Sequence, residues 1–443
     1  ALLAPDGRLY EITNVASDTS ITLGSAYLGA TQTGQAYVIV PSQSYIRDQA
    51  AQAAAGRVLI IGGGWGGLAA AKELRASAPQ LDVTLIERQE SFWSHPISNR
   101  WLVGLAEKNV LSHSYEAAAR AHGYRFVRAE VGAIDRSRHT VSTSNGEFAY
   151  DWLIIAAGIR EDFSAWFGVD RNTLDFCRKN YASAFSDATQ HAGLKDRLQR
   201  FTGGDLVMTI PPMPYRCPPA PYERAGLIAW WMKTRQIKGR LIVVDPNPAV
   251  MSFDRIFRDS YRDQVTYMPQ AKVKSVDPFK KQIVTDFDTI DFTDAILMPP
   301  QQAADILWQN GLIGQGSNWA TVDPVSLNIP DDEQVYIVGD AIDKVSPLFG
   351  HYPKTGQLAA RLGRIAARQI AARASGQVPE KQLPESTCYV LSRAEPMELA
   401  QINTSFRFRG DGLIQQTVRQ SYDAQARDED LAWAKAMFSE LGF

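Results

Sequence analysis

Cysteine is scarce in this chain, with only Cys177, Cys217 and Cys388 among 443 residues. Three exclude a disulfide-stapled scaffold, their spacing fits no zinc site, and at most one pair can form. Basic charge is not in excess either. Lys+Arg number 46 against 48 Asp+Glu, the net charge is -2, and no basic run is interleaved with aromatics, so a nucleic acid has no footprint to bind. Long apolar runs are missing: the richest, Val58 to Ile61 and Leu68 to Ala71, are short and split by glycines, so no transmembrane segment is expected. The opening residues, Ala1-Leu2-Leu3-Ala4-Pro5-Asp6, show neither an initiator Met nor a charged start followed by an apolar stretch, and no targeting signal is legible in them. The composition that remains is 45% hydrophobic and 21% charged, with 32 Gly and 23 Pro. That is a folded globular chain, with room for about three domains at roughly 150 residues each.

Residues 1 to 50 contain no Lys and are rich in Thr, Ser, Gly, Val and Tyr. Ser20-Ile21-Thr22-Leu23 and Ala36-Tyr37-Val38-Ile39-Val40 read as short strands between turns. The segment reads as a small β-rich appendage and resembles the β-rich repeat pieces of phage tail proteins. An Ala/Gln-rich linker, Asp48 to Gly56, follows it. From Arg57 the pattern becomes strand, glycine turn, helix, strand, and further strands are expected at Trp152–Ala156, Leu206–Ile210, Leu241–Val244, Ala295–Met298 and Val335–Val338. Strands alternating with helical stretches predict α/β layers with parallel sheets.

Gly62-x-Gly64-x-x-Gly67 follows an apolar strand and opens a helix, and Glu87 closes the next strand 20 residues after the third glycine, with Arg88 beside it. Glycines let backbone N–H groups approach a pyrophosphate, the helix N-terminus favours its charge, and the carboxylate accepts ribose hydroxyls. This is a dinucleotide site. Two later strands, Tyr150 to Ala156 running into Ala157-Gly158 and Val335 to Val338 running into Gly339-Asp340, favour FAD over NAD there, because flavoproteins with two dinucleotide domains end strands this way beside the cofactor. A second nucleotide domain should begin near Asp205 to Ile210, but its turn reads Pro211-Pro212-Met213-Pro214-Tyr215-Arg216-Cys217-Pro218-Pro219. Prolines lack N–H donors, so a second pyrophosphate has nothing to dock on and NAD(P)H is not the expected reductant. Cys217 stands beside Arg216 and just before a helical run from Tyr222 to Met232. Both neighbours would stabilise a thiolate; a buried structural thiol is the plain alternative. Pro353-Lys354-Thr355-Gly356 opens a long helix, Gln357 to about Ser375, whose positive end would suit a flavin edge. Arg361, Arg364 and Arg368 on that helix read as a solvated face. The aromatics of Trp230-Trp231 and of Leu431 to Phe443 read as core, with Trp433 a candidate for stacking on a ring, and Cys177 as a spare structural thiol.

The residues from 55 to 443 resemble the flavin subunit of flavocytochrome c sulfide dehydrogenase, a relative of the sulfide:quinone oxidoreductases. The resemblance rests on Tyr215-Arg216-Cys217-Pro218-Pro219-Ala220-Pro221-Tyr222-Glu223-Arg224-Ala225, Pro299-Pro300-Gln301, Val338-Gly339-Asp340-Ala341, Pro353-Lys354-Thr355-Gly356 and Ser386-Thr387-Cys388-Tyr389. It implies two Rossmann-like dinucleotide-binding domains of the FAD/NAD(P)-linked disulfide reductase type, a C-terminal α+β domain and the small N-terminal β appendage. The expected divisions are 1–54 appendage and linker, 55–168 and 301–378 the two parts of an FAD-binding domain, 169–300 an NAD-like domain without a glycine loop, and 379–443 a C-terminal interface domain.

The same resemblance implies a redox-active disulfide between Cys217 and Cys388, which are 171 positions apart, oxidation of sulfide through it, and electron delivery to a c-type cytochrome. Catalytic roles then fall to Cys217, Cys388, Glu223 for the proton and Lys354 for reduced flavin; cofactor contacts fall to Gly62, Gly64, Gly67, Glu87, Arg88, His95, Asn99, Ala157, Gly158, Gly339, Asp340, Lys354 and Thr355. No metal site is expected. Where the family tethers FAD through a cysteine this chain has His95, in Phe92-Trp93-Ser94-His95-Pro96-Ile97-Ser98-Asn99. FAD is therefore expected to be noncovalent, with a link through the imidazole as the alternative. The covering aromatic of the family falls at Met437 or Trp433. No Cys-x-x-Cys-His occurs, so the haem is expected on another polypeptide, and the family setting is periplasmic. Two readings compete: a sulfide:quinone oxidoreductase, which would need a quinone mouth and an amphipathic C-terminal surface, and a non-catalytic flavin-fold module.

Overall fold

The computed structural model describes residues 56–185 and 188–443 and, among the first 55, the strand segments 2–3, 9–10, 12–17, 20–23 and 38–39. It comprises two units, Ala1–Gly56 and Arg57–Phe443. In the first, Leu2–Leu3 pairs antiparallel with both Leu9–Tyr10 and Val38–Ile39, and Ile12–Ser17 pairs with Ser20–Leu23. The expected linker at 48–55 lies outside the described residues.

In the second unit a continuous apolar strand, β1 (Arg57–Ile61), is buried from Val58 onward and leads through the glycine turn into α1 (Trp65–Ser77) and β2 (Asp82–Glu87). Such runs suit a parallel sheet covered on both faces. A short helix α2 (Ser98–Leu102) precedes β3 (Arg125–Arg128) and β4 (Trp152–Ile155). The chain then builds a second sheet from β5 (Gly203–Thr209), α3 (Ala220–Thr234), β6 (Lys238–Asp245), β7 (Val265–Pro269) and β8 (Asp294–Ile296). It returns with β9 (Asn328–Ile329) and β10 (Asp332–Ile337), then α4 (Gly356–Ala374). A meander of β11 (Glu385–Arg393), β12 (Glu398–Phe408) and β13 (Ile414–Asp423) precedes α5 (Glu429–Leu441).

The first sheet has the order β3-β2-β1-β4-β10-β9. All its pairs are parallel except β9 with β10. The second has the order β7-β6-β5-β8 and is wholly parallel. These are two doubly wound layers of the expected class. In such sheets ligands sit beyond the carboxyl ends of the strands, where the strand order reverses. Here that point is between β1 and β4. Two antiparallel ribbons that the strand pattern did not reveal, 131–149 and 273–291, interrupt the two halves.

Ile60, Leu153, Ile154 and Ile155 are fully buried in the first sheet, each such side chain contributing about 1.5–3 kcal/mol. Cys177 lies in a separate core under the second sheet, with Val207 and Val244, and burial pushes its thiol up to about 12, as suits a structural residue. The arginine row of α4 is solvated at Arg368 but half-buried at Arg361 and Arg364. Arg361 and Arg364 pair with Glu440 of α5, and Arg368 pairs with Glu73 of α1. Helical spacing alone could not show that two neighbouring helices carry the matching acids.

Candidate active site

The glycine turn is built for close approach. Gly62 has φ +98°, and a Cβ there would stand 2.6 Å from the Ala156 carbonyl oxygen. A Cβ on Gly67 would stand 1.9 Å from the Gly62 oxygen, so the third glycine serves helix–strand packing. A Cβ on Gly64 would meet nothing within 4 Å, which leaves the helix N-terminus open toward a groove. The groove has a volume of about 870 Å³, and Gly62, Gly64, Glu87, Arg88, Ala157, Gly158, Gly339 and Asp340 all line it. Glu87 accepts from Gly63 N at 2.8 Å and from Gln89 N at 2.9 Å. The Gly356 end of α4 also lines the groove, and Thr355 caps that helix, its Oγ1 accepting from Leu358 N. Open glycine turn, two helix N-termini and a terminal carboxylate fit a dinucleotide. The cofactor implied is FAD.

Beside the groove lies a second, small cavity of about 40 Å³ lined by Cys217, Cys388, Glu223, Trp433, Asp430 and Thr355, among others. Cys217 and His95 line both spaces, whereas Cys388 lines only the small one. The two cysteines are free thiols joined by a hydrogen bond. Cys217 comes from the proline-rich loop, with φ 51°, and its N–H donates to the Lys354 carbonyl at 2.6 Å. Cys388 comes from β11.

The electrostatics differ from the expectation that Arg216 and a helix end stabilise a thiolate. Arg216 turns away: its Nε donates to Asp340 Oδ2 at 2.8 Å and its Nη1 to the Phe185 carbonyl at 3.1 Å. The hydrogen bond with Cys388, then burial, then the charges of Cys388 and Glu223 push the Cys217 thiol well above its ordinary value. The reduced pair is thus held as thiols until a proton acceptor intervenes. Glu223, in the first turn of α3, is that acceptor by position; burial raises its carboxyl to about 7, against hydrogen bonds from Asn99 and Leu391 N. A carboxyl near neutrality can take and return a proton.

Lys354 is placed otherwise than expected. Its Nζ donates to the carbonyls of Asp340 at 2.7 Å and Ile342 at 2.9 Å and lies over the Trp319 ring. Burial lowers it to about 7. It lines neither cavity, and its part is to fix the Gly339–Asp340 turn. Asn99 likewise leaves the groove and bonds Glu223 at 2.7 Å. Trp433 faces the small cavity and packs on Tyr389, while Met437 is core.

Sequence reasoning missed Asp430, which lines the small cavity and pairs with buried Arg100 at 2.8 Å. Asp428-Glu429-Asp430 reads as an ordinary charge run, and nothing local marks its last member as buried. His95 is oriented by a hydrogen bond to the Phe185 backbone. Its buried Nε2 has no hydrogen-bond partner among the described residues. Burial, with the Arg216 and His191 charges, keeps the ring neutral.

In the second sheet, the acid that closes the second strand is bonded within the protein. Asp245, at the end of β6, accepts from Tyr222 at 2.7 Å, Tyr267 at 2.8 Å and Asn247 N at 2.9 Å. Asn247 in turn bonds Pro211 and Met213 of the proline loop.

Comparison with known proteins agrees with this geometry. The family described as "Sulfide dehydrogenase [flavocytochrome c] flavoprotein chain, central" matches residues 192–299, and "Pyridine nucleotide-disulphide oxidoreductase" matches 56–194. The mitochondrial sulfide:quinone oxidoreductase of Mus musculus is 24% identical over 64% of this chain and 65% of its own length, so that alignment spans just under two thirds of the relative. The sulfide-quinone reductase of Aquifex aeolicus is 23% identical over 71% of this chain and 75% of its own. The solved sulfide:quinone oxidoreductase of Aquifex aeolicus superposes with a TM-score of 0.70 at 20% identity, over 87% of this chain and 91% of that one. With its open glycine groove and paired cysteines, the chain is a flavoprotein of the sulfide dehydrogenase and sulfide:quinone oxidoreductase relatives.

Proposed function

We propose that the chain is a sulfide dehydrogenase that oxidises sulfide through a Cys217–Cys388 disulfide and passes electrons to a c-type cytochrome. The observation that carries this reading is the meeting of two distant cysteines and a buried, neutral-pH carboxyl in a cavity that shares Cys217 and His95 with the cofactor groove. FAD, when bound, supplies the two-electron acceptor.

The residues assign the steps. Cys388 lines only the small cavity, so it is the sulfur that HS⁻ reaches there. The new bond joins sulfide to Cys388 as a persulfide, the Cys217–Cys388 bond breaks, and its electron pair leaves on Cys217, which faces the groove. Glu223 takes the proton when H₂S becomes HS⁻. We read FAD as noncovalent, with a link through the imidazole of His95, which lines the groove, as the alternative. Acid precipitation separates them, with colour in the supernatant for the first and in the pellet for the second.

The flavocytochrome description of the matched central family supports the cytochrome acceptor. The names of the relatives favour quinone as the second reading. Against it, α5 buries Ala434, Met437, Phe438 and Leu441, with Phe438 stacked on Trp65 of α1, so its apolar side is spent on the body. No helix among the described residues is long and apolar enough to cross a membrane. An oxidising periplasm would keep the disulfide formed. The test is anaerobic sulfide turnover with ferricytochrome c and, separately, a short-chain quinone. The cytochrome reading expects faster reduction of the cytochrome; faster quinone reduction overturns it.

A further inference from the structure

Asn99, in α2, is 4% exposed and bonds three residues of α3. Its Oδ1 accepts from Arg224 Nε at 2.9 Å, and its Nδ2 donates to Glu223 Oε2 at 2.7 Å and to the Ala220 carbonyl at 3.0 Å. Arg224 is 2% exposed, donates also to the carbonyls of Ser183 and Ala184, and lies over the Phe185 ring. A guanidinium only donates, so it pairs only with the oxygen side of the amide and forces the NH₂ toward Glu223. The other carboxylate oxygen of Glu223, Oε1, accepts the Leu391 N–H at 2.8 Å. Leu391 lies three residues beyond Cys388 on β11, and Glu223 lies six beyond Cys217. One carboxylate therefore joins the two cysteine-bearing segments, and both its oxygens meet N–H donors. These two donors favour the ionised form and so offset part of the burial that favours the protonated one.

We propose that Asn99, oriented by Arg224, is a positioning residue that holds Glu223 as a strut between the Cys217 loop and the Cys388 strand, and so sets the pH at which the thiols react. The inference rests on the function proposed above for its place in sulfide oxidation, but its geometry and its test do not involve sulfide. The groups facing Glu223 are Asn99 and Arg100 from α2, Arg224 from its own helix, Asp430 from α5, and the thiols of Cys217 and Cys388; His95 lines the same cavity. Burial and Asp430 favour the protonated carboxyl. Asn99, Leu391 N and Arg100 oppose them.

The test is the pH dependence of iodoacetamide alkylation of Cys217 and Cys388 in the reduced full chain, read by mass. The wild type should show an inflection near neutrality that Glu223→Gln removes. Asn99→Asp keeps a partner for Arg224 but loses the donor to Glu223, and it should move the inflection up by about one unit; Asn99→Leu should move it in the same direction without an added charge. Where one variant does not fold, the other carries the test. An inflection that stays at the wild-type position while alkylation slows at every pH would make Asn99 merely structural and overturn the proposal. Persistence of the inflection in Glu223→Gln would overturn it too. These shifts in the variants, together with flavin-loaded wild type that does not react with sulfide, would instead sink the sulfide reading alone.

Discussion

Glu223→Gln should make the chain more stable at alkaline than at acid pH relative to wild type. In the fold its carboxyl lies at about 7, raised by burial from an ordinary 4.5. A folded value above the unfolded one means that the fold favours the protonated form. The stabilisation is therefore complete below about 4.5 and is lost as pH rises through about 7. Between about pH 5 and about pH 8 the linkage amounts to about 2.5 kcal/mol of wild-type stability. Glutamine does not titrate, so this loss is absent from the variant. Its amide would face the Asn99 NH₂, but that cost is the same at both pH values and cancels in the comparison. At about 1 °C per kcal/mol for a chain of this size, the difference in Tm between variant and wild type should grow by roughly 3 °C from the acid to the alkaline condition. Thermal unfolding of both proteins across that range, followed by circular dichroism, measures it. Parallel pH profiles would refute the assignment of a buried, neutral-pH carboxyl to this position.

Two other outcomes follow from the backbone. Gly67→Ala places a Cβ 1.9 Å from the Gly62 oxygen. It should cost about 1–3 kcal/mol in stability and displace the turn enough to lose most bound flavin, measured as the absorbance ratio of flavin to protein. NADH should leave the flavin oxidised over minutes in anaerobic stopped-flow, because Asp245 is held by two tyrosines, the prolines of the turn after β5 carry no N–H, and its Met213 N–H is spent on Asn247. Prompt bleaching by NADH would show a working second nucleotide site.

How legible the molecule is in its sequence depended on the range over which each contact acts. The β1–glycine–α1–β2 unit is local, so three glycines and Glu87 announce it. The prolines after β5 announce a turn without glycine-type N–H donors equally well, yet the two tyrosines that hold Asp245 come from α3 and β7 and leave no mark. Cys217 and Cys388 meet because α3 packs against β11, and only the family resemblance implied the pair. Adjacency also misled: Arg216 follows the loop to Asp340 and Phe185 rather than to the neighbouring thiol, and Lys354 spends its charge on two carbonyls. Arg224, Arg100 and Asp430 went unread because a charged residue on a helix shows its burial only once the partner helix is in place.

The central claim is that Cys217 and Cys388 carry electrons from sulfide to the cofactor. The most direct test is the visible spectrum of the flavin-loaded chain before and after anaerobic sulfide, beside Cys388→Ser. The account predicts bleaching of the flavin bands in the wild type and none in the variant, which keeps its flavin. Bleaching that survives in Cys388→Ser, or flavin-loaded wild type with both cysteines intact that sulfide leaves yellow, would contradict it.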